Sequence, residues 1–178
     1  MRKALDFFIE LIKTVILALA IVLPIRIFLF QPFIVKGQSM EPNFDNGDYL
    51  IVDEITYRFR EPQRGEIIVF KLPQGQRLIK RIIGLPGETI EISDGTITIK
   101  NEKREFVLDE SKYLPQNLTF GNFKMSLGQD EYFVLGDNRS HSLDSRALGP
   151  IKRNQIVGRV ILRLFPFTSI SAFFKTPY

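Results

Sequence analysis

Cysteine is missing from the 178 residues, and histidine occurs once, at His141. The first absence excludes disulfides, thiolate nucleophiles and cysteine-ligated metal sites, and the second excludes a multi-histidine metal centre. A chain without cysteine suits an oxidising exterior but does not require one. The formal net charge is only +4, spread along the chain, and no basic run interleaved with aromatics marks a nucleic-acid surface. So mild an excess is more economically used at anionic lipid headgroups. Internal repeats and low-complexity segments are absent as well. What remains is a chain that is 44% hydrophobic and long enough to bury one real core with some length left over.

The surplus lies at the N-terminus. From Phe7 to Phe30 the residues are mostly Phe, Ile, Leu, Val and Ala, with Glu10, Lys13 and Arg26 as the charges inside. About 24 helical residues reach roughly 36 Å, enough to cross a hydrocarbon core of about 30 Å. The strictly uncharged centre, Thr14 to Ile25, covers only about half a span. Lys13 and Arg26 must therefore snorkel towards opposite headgroup layers, while Pro24 near the far end is tolerable in a membrane helix. A cleaved leader is suggested by the basic Met1-Arg2-Lys3 start and by Ala18-Leu19-Ala20. However, the apolar run continues through Leu23, and Asp6 and Glu10 are atypical of leaders. A buried helix of a soluble domain would be amphipathic, and this stretch is apolar on all sides. We expect an uncleaved single-pass transmembrane anchor over 7–30. The positive-inside rule puts residues 1–6 in the cytoplasm and the body, 31–178, outside it.

Beyond Gln31-Pro32 the pattern is strand-like almost throughout. Phe33 to Gly37, Tyr49 to Val52, Glu66 to Phe70, Leu78 to Ile83 and Glu131 to Leu135 are short apolar runs bounded by Gly, Pro, Asp or Asn. Leu85-Pro86-Gly87-Glu88 carries the proline–glycine centre that a type II turn requires. Ile90 to Ile99 predicts a hairpin turning at Asp94-Gly95, with Ile92 opposite Ile97 and Ile90 opposite Ile99. Asn101 to Gly128 is more polar and reads as loop, so the hairpin and this stretch form a small insertion around 89–130. Val157 to Phe165 predicts another strand, followed by an aromatic tail through Phe173-Phe174 that either packs or meets lipid. The body is mostly β.

The most informative residue is Lys80, in Arg77-Leu78-Ile79-Lys80-Arg81-Ile82-Ile83. Alternation places Leu78, Lys80 and Ile82 on one face and Ile79, Arg81 and Ile83 on the other. A lysine between two aliphatic neighbours either snorkels out or is desolvated, and desolvation lowers its pKa. A neutral lysine amine is a competent general base. Ser39, in Gly37-Gln38-Ser39-Met40-Glu41-Pro42, follows the anchor by about nine residues. It needs a base to become a nucleophile, and the candidates are Lys80 and His141. His141 lies in the densest polar cluster, Gly136 to Arg146, where Asp137 or Asp144 would complete a Ser-His-Asp triad. The polarity of that stretch argues instead for an exposed imidazole.

Four segments in order, behind an anchor, resemble the motif boxes of bacterial type I signal peptidases. They are Ser39-Met40-Glu41-Pro42, Gly47-Asp48-Tyr49-Leu50-Ile51-Val52, Lys80-Arg81-Ile82-Ile83-Gly84-Leu85-Pro86-Gly87-Glu88 and the Gly136 to Arg146 cluster. The resemblance implies a β-rich catalytic domain of the Ser-Lys protease fold that signal peptidases share with LexA-like proteins. It implies a plasma-membrane endopeptidase, working without cofactor or metal, that releases signal peptides from exported preproteins after small residues. In that likeness Ser39 is the nucleophile and Lys80 the general base. Ser142 hydrogen-bonds and orients the amine, Asp144 and Arg146 are a supporting charged pair, and Asp137 is a structural acid. Phe33, Val35, Met40, Phe44 and Ile79 match positions lining the pockets for the substrate's small side chains. The Ser39 backbone N–H matches an oxyanion donor. Gly37 stands where some members carry a serine as the second donor, which leaves that donor open. The short insertion is similar to the smaller enzymes of Gram-positive bacteria. Two alternatives set against it are a LexA-type autoprotease, for which no DNA-binding domain precedes Phe33, and a membrane-anchored, non-enzymatic β domain that binds exported chains.

Overall fold

Ile67-Ile68-Val69-Phe70 is an unbroken run of β-branched and aromatic residues, the pattern of a strand covered on both faces. The computed structural model describes the backbone of residues 2–28, 30–114 and 119–178, and the side chains of 6–20, 32–114 and 119–178. Helix α1 (Arg2–Phe28) leads into β1 (Phe30–Ile34), β2 (Tyr49–Asp53), β3 (Ile67–Lys71), β4 (Arg77–Gly84), β5 (Thr89–Ser93) and β6 (Thr96–Lys100). There follow β7 (Glu105–Val107), β8 (Phe123–Ser126), β9 (Glu131–Leu135), the short helix α2 (Ser145–Leu148), β10 (Ile151–Lys152), β11 (Ile156–Phe165) and β12 (Ser171–Ala172). One sheet runs β1-β2-β11-β3-β4-β9-β10, with β12 on β11, and a second runs β7-β6-β5-β8.

Strand β3 sits in the middle of the larger sheet and is covered on both sides. Ile68 and Phe70 join Ile82, Tyr132, Val134 and Ile151 in one core. Ile67 and Val69 join Val35, Met40, Phe44, Leu50 and Val160 in another. A third core lies under the smaller sheet, where Ile90, Ile92, Ile97 and Ile99 meet Ile83, Phe133 and Leu135 of the larger one. Strands β4 and β9 therefore feed both sheets from alternate positions. The Asp94-Gly95 hairpin has the predicted register, Ile92 opposite Ile97 and Ile90 opposite Ile99. Both turn residues are left-handed, at φ 50° and 80°, as a two-residue hairpin turn requires. Gly87 has φ 77°, and the Glu88 N–H donates to the Leu85 carbonyl, closing the predicted turn.

Two expectations need correction. The strand expected over Phe33 to Gly37 ends at Ile34, because Gly37 turns left-handed at φ 88° and its N–H donates to the Asn46 side chain. Phe33, Val35, Gly37 and Ser39 therefore do not share one continuous strand face. The stretch from Asn101 to Gly128, expected to be loop, contains β7 and β8, which extend the hairpin into the second sheet. Phe106, Phe123 and Met125 pack against its core, and spacing this apolar set among charges hid the strand pattern.

Helix α1 shows every described side chain, Asp6 to Ala20, exposed, including Phe7, Ile12, Ile16 and Leu17. Among the described residues no helix is long and apolar enough to cross a membrane. The far half of the expected anchor, with Pro24 and Arg26, lies outside the described side chains.

Gly158 brings the backbone of β11 close against its antiparallel neighbour β2. A Cβ there would sit 2.5 Å from the Asp53 carbonyl oxygen and 2.8 Å from Val52 Cγ1. Backbone cannot give way as a side-chain tip can. Gly158→Ala is expected to cost about 1–3 kcal/mol, read as a lower denaturant midpoint at unchanged slope.

Candidate active site

Ser39 is set by its neighbours. After the left-handed Gly37, Met40 is driven fully into the core, and the Asn43 and Phe44 N–H groups close a turn on the Met40 carbonyl at 3.0 and 2.9 Å. The Ser39 carbonyl accepts the Asn138 N–H at 3.1 Å, which ties this turn to the loop after β9. No acceptor among the described residues takes the Ser39 N–H.

Lys80 lies opposite Ile68 in the β3–β4 pairing, on the face shared with Leu78 and Ile82, as alternation predicts. It is 2% exposed. Its Nζ lies 2.7 Å from Ser39 Oγ and donates to the Ile79 carbonyl at 2.8 Å. Burial pushes the amine down to about 8, while the carboxylates of Asp144 and Asp137 pull the other way. A charged ammonium here loses its hydration and gains only two partners.

The other expected residues fall into three groups. Asp144 and Asp137 are each held by a guanidinium in a two-bond fork. Arg146 Nε and Nη2 donate to Asp144 at 2.9 Å each, and Arg81 Nε and Nη2 donate to Asp137 at 2.8 and 2.6 Å. Burial raises the Asp144 carboxyl, but the bonds from Arg146, the nearby Ser142 hydroxyl and the bond from the Gly136 N–H carry it below the ordinary carboxylate range. Asp144 also caps α2 through the Arg146 N–H.

Ser142 is close but differently engaged. Its Oγ is buried with no hydrogen-bond partner among the described residues, and no bond joins it to Lys80. It packs over Gly136 instead, where a Cβ would come within 2.2 Å of Ser142 Oγ and 2.4 Å of the Ser39 carbonyl oxygen. The expected serine–lysine bond is not formed in this structure, although the amine, bonded to Ser39 and Ile79, keeps a third position open. His141 is exposed and hydrogen-bonds Ser140, and no contact brings it to Ser39.

A cavity of about 230 Å³ opens beside the pair, and Phe33, Val35, Ile79, Ser39 and Lys80 line it. Met40 and Phe44 do not. Both are fully buried in the core beneath, where Phe44 stacks on Phe173 with ring centres 5.0 Å apart. Leu50, Val69, Arg77 and Leu78 line it and were not anticipated. Among the described residues no group of three or more histidines and carboxylates is placed to hold a metal ion.

Sequence reasoning missed the frame behind the site. Asn43 donates to Asp137 at 2.8 Å and to the Tyr113 carbonyl at 2.9 Å. Arg81 lies over the Tyr113 ring at 4.0 Å. Arg139 donates to Glu110 at 2.8 and 2.6 Å and to the Gly136 carbonyl at 2.9 Å. Asn43 and Arg139 sit inside or beside the recognised boxes, so a signal existed. Glu110 and Tyr113 stand in a stretch with none.

The geometry can be set beside known proteins. The family described as signal peptidase, peptidase S26, matches residues 8–165. A signal peptidase I of Bacillus amyloliquefaciens is 40% identical over 164 residues, covering 87% of this chain and 84% of its own. Signal peptidase I T of Bacillus subtilis strain 168 is 35% identical over 178 residues, covering 95% and 91%. The crystal structure of a signal peptidase I from Enterococcus faecalis V583 shares 36% identity. It matches with a TM-score of 0.47 over 56% of this chain and 97% of that one.

A folded-state amine at about 8, against an ordinary 10.5, opposes folding whenever it is protonated. The penalty is full below pH 8 and is relieved as the pH rises towards 10.5. Lys80→Met is expected to gain stability at neutral pH, with a pH-dependent part of about 3 kcal/mol that fades across that window. Denaturant titrations of both proteins at several pH values measure it.

Proposed function

The chain belongs to the signal peptidase family, peptidase S26, and from that membership we infer how its residues remove signal peptides from preproteins. The observation that carries the assignment is the 2.7 Å approach of a buried amine to the Ser39 hydroxyl. Neutral Lys80 takes the Ser39 proton as Oγ attacks the scissile carbonyl. The tetrahedral oxyanion faces the Ser39 N–H, which has no acceptor of its own among the described residues. Collapse expels the new amine, which leaves with the proton carried by Lys80, and Ser39 keeps the acyl group. Water then gives a proton to the same amine, its hydroxide adds to the ester, and Ser39 recovers its proton as the acid departs.

Leu50, Val69 and Ile79 make the cavity wall apolar and shallow, which supports a preference for small side chains near the cleaved bond. Asp137, Asp144 and Arg146 act from behind the wall, and Ser142 fills the space over Gly136. Helix α1 is the proposed single-pass anchor in the plasma membrane. Its exposed apolar side chains and the basic Arg2-Lys3 start support a cytoplasmic N-terminus and an extracytoplasmic body. Lipid contact by Phe167, 77% exposed, and Phe174, 64% exposed, fits the same placement, whereas Phe173 is held in the core.

Ser39→Ala and Lys80→Ala are each expected to reduce cleavage of a signal-peptide-bearing preprotein in detergent by at least about 10³-fold, and His141→Ala by less than about threefold. Loss in His141→Ala with activity retained in Lys80→Ala would replace the dyad by a triad. Because the base must be unprotonated, kcat/KM is expected to rise with pH and level off above about 8. A profile flat from pH 6 to 9 would remove Lys80 as the titrating base.

A further inference from the structure

Residues 173–178 form no helix or strand, yet they are held at several points. The Phe173 N–H donates to the Ile161 carbonyl at 2.8 Å, and its ring stacks on Phe44, which closes the turn carrying Ser39. Lys112 Nζ donates to the Pro177 carbonyl at 2.8 Å. At the far end the Tyr178 ring meets the Tyr113 ring edge-on, and the two hydroxyls lie 2.6 Å apart. Tyr113 spends its single hydroxyl proton on Glu110, so Tyr178 is the donor. The fit beneath leaves no slack. A Cβ on Gly65 would sit 2.7 Å from Pro177 Cδ and 2.8 Å from Tyr178 Cδ2, and the Gly65 carbonyl is the one that accepts from Arg81.

These contacts close a ring. From the Ser39 turn, Asn43 donates to the Tyr113 carbonyl and to Asp137. Tyr113 meets Tyr178, and the chain returns through Phe173 to Phe44 in the same turn. Asn43, Arg81, Tyr113, Phe173 and Pro177 line a second cavity, of about 250 Å³. Open space on that side removes the packing that would otherwise fix the turn, so its position depends on the ring. We propose that residues 173–178 are a strap behind the active site, in which Tyr178 is a positioning residue that holds the Ser39 turn through Tyr113 and Asn43. None of the strap residues lines the cavity beside Ser39. Their leverage is geometric, because displacing a reacting group by about 1 Å can cost up to about a hundredfold in rate. The inference rests on the reading of Ser39 as nucleophile and Lys80 as its base.

The test reads kcat and KM separately on a signal-peptide-bearing preprotein, with denaturant midpoints measured alongside. Tyr178→Ala is expected to lower kcat about tenfold with KM within about twofold of the parent. Tyr178→Phe keeps the ring and loses only the donor, and its kcat is expected to fall about threefold. Leu78, Ile82 and Ile68 bury Lys80, so the pH midpoint of kcat/KM stays near 8 in both variants. Asn43→Ala is expected to lose at least as much as Tyr178→Ala. The double variant is expected to lose no more than Asn43→Ala alone, because the two residues act along one path. A lower denaturant midpoint with kcat unchanged makes the segment a stabilising tail and overturns the strap. Losses that multiply in the double variant, or that appear in KM alone, overturn it too and leave the peptidase reading standing. Cleavage that survives in Ser39→Ala overturns instead the nucleophile reading on which the strap rests.

Discussion

An amine 2.7 Å from a serine hydroxyl is a base only while it lacks its proton, and at neutral pH that state has to be imposed by withholding water. Lys80 is placed for this by β4, between Leu78 and Ile82 and across from Ile68. Covering it from the other side takes close packing, and Gly136 makes that packing possible. With no Cβ, its backbone lies against Ser142 Oγ and the Ser39 carbonyl. Two carboxylates nearby, Asp144 and Asp137, work against the same end by stabilising the ammonium. Each is matched by its own guanidinium in a forked pair, so neither presents an uncompensated charge to the amine. The arginines behind the site thus serve the base that they never touch.

Buried ion pairs seldom add net stability over well-packed apolar groups, so their number here asks for another explanation. Geometry offers it. Arg81 joins Asp137 to the Gly65 carbonyl and the Tyr113 ring, and Arg139 joins Glu110 to the Gly136 carbonyl. Asp137 in turn receives Asn43, from the turn that carries Ser39. Forked bonds fix direction as well as distance, which apolar contacts do not. The segment around Glu110 to Tyr113, reached from the smaller sheet, therefore acts as a brace for loops that would otherwise move independently. Arg64, paired with Glu88 at the β4–β5 turn, links the sheets at a second point.

Much of this was legible in the residues alone. Period-two alternation placed Lys80 correctly, the Asp94-Gly95 turn fixed its hairpin register, and apolar runs located β2, β3, β4, β9 and β11 of the large sheet. Each of those signals is local, carried by residues within a few positions of one another. What escaped was long-range or backbone-borne. Nothing around Gly37 announces a left-handed turn rather than a continuing strand. Met40 and Phe44 were matched to pocket positions by the resemblance alone, and their apolar character cannot distinguish a cavity wall from the core one layer beneath it. The Glu110–Arg139 pair spans 29 positions, and no periodicity marks it. Ser142 fell in between. Its neighbourhood was apparent, but whether its hydroxyl reaches the amine is set by loop geometry that no local pattern marks.

Apolar surface left uncovered carries the last part of the account. Along α1 the described side chains have no partner in the body, and a second exposed apolar edge lies at one end of β2 and β11, where Tyr49 meets Phe165 edge-on and Phe165 meets Phe167. Tyr49 also pairs with Ile34, one residue before the Val35 that lines the cavity. The aromatic edge and the proposed substrate cavity therefore share the same end of the large sheet. A signal peptide is itself an apolar segment followed by a short polar stretch, so an enzyme that cleaves just beyond it gains by meeting it where apolar surface is already tolerated. With α1 as the proposed anchor, the substrate need not leave the bilayer's edge to find Ser39. The search becomes two-dimensional, and effective concentration replaces part of the affinity that a shallow, small-residue cavity cannot provide.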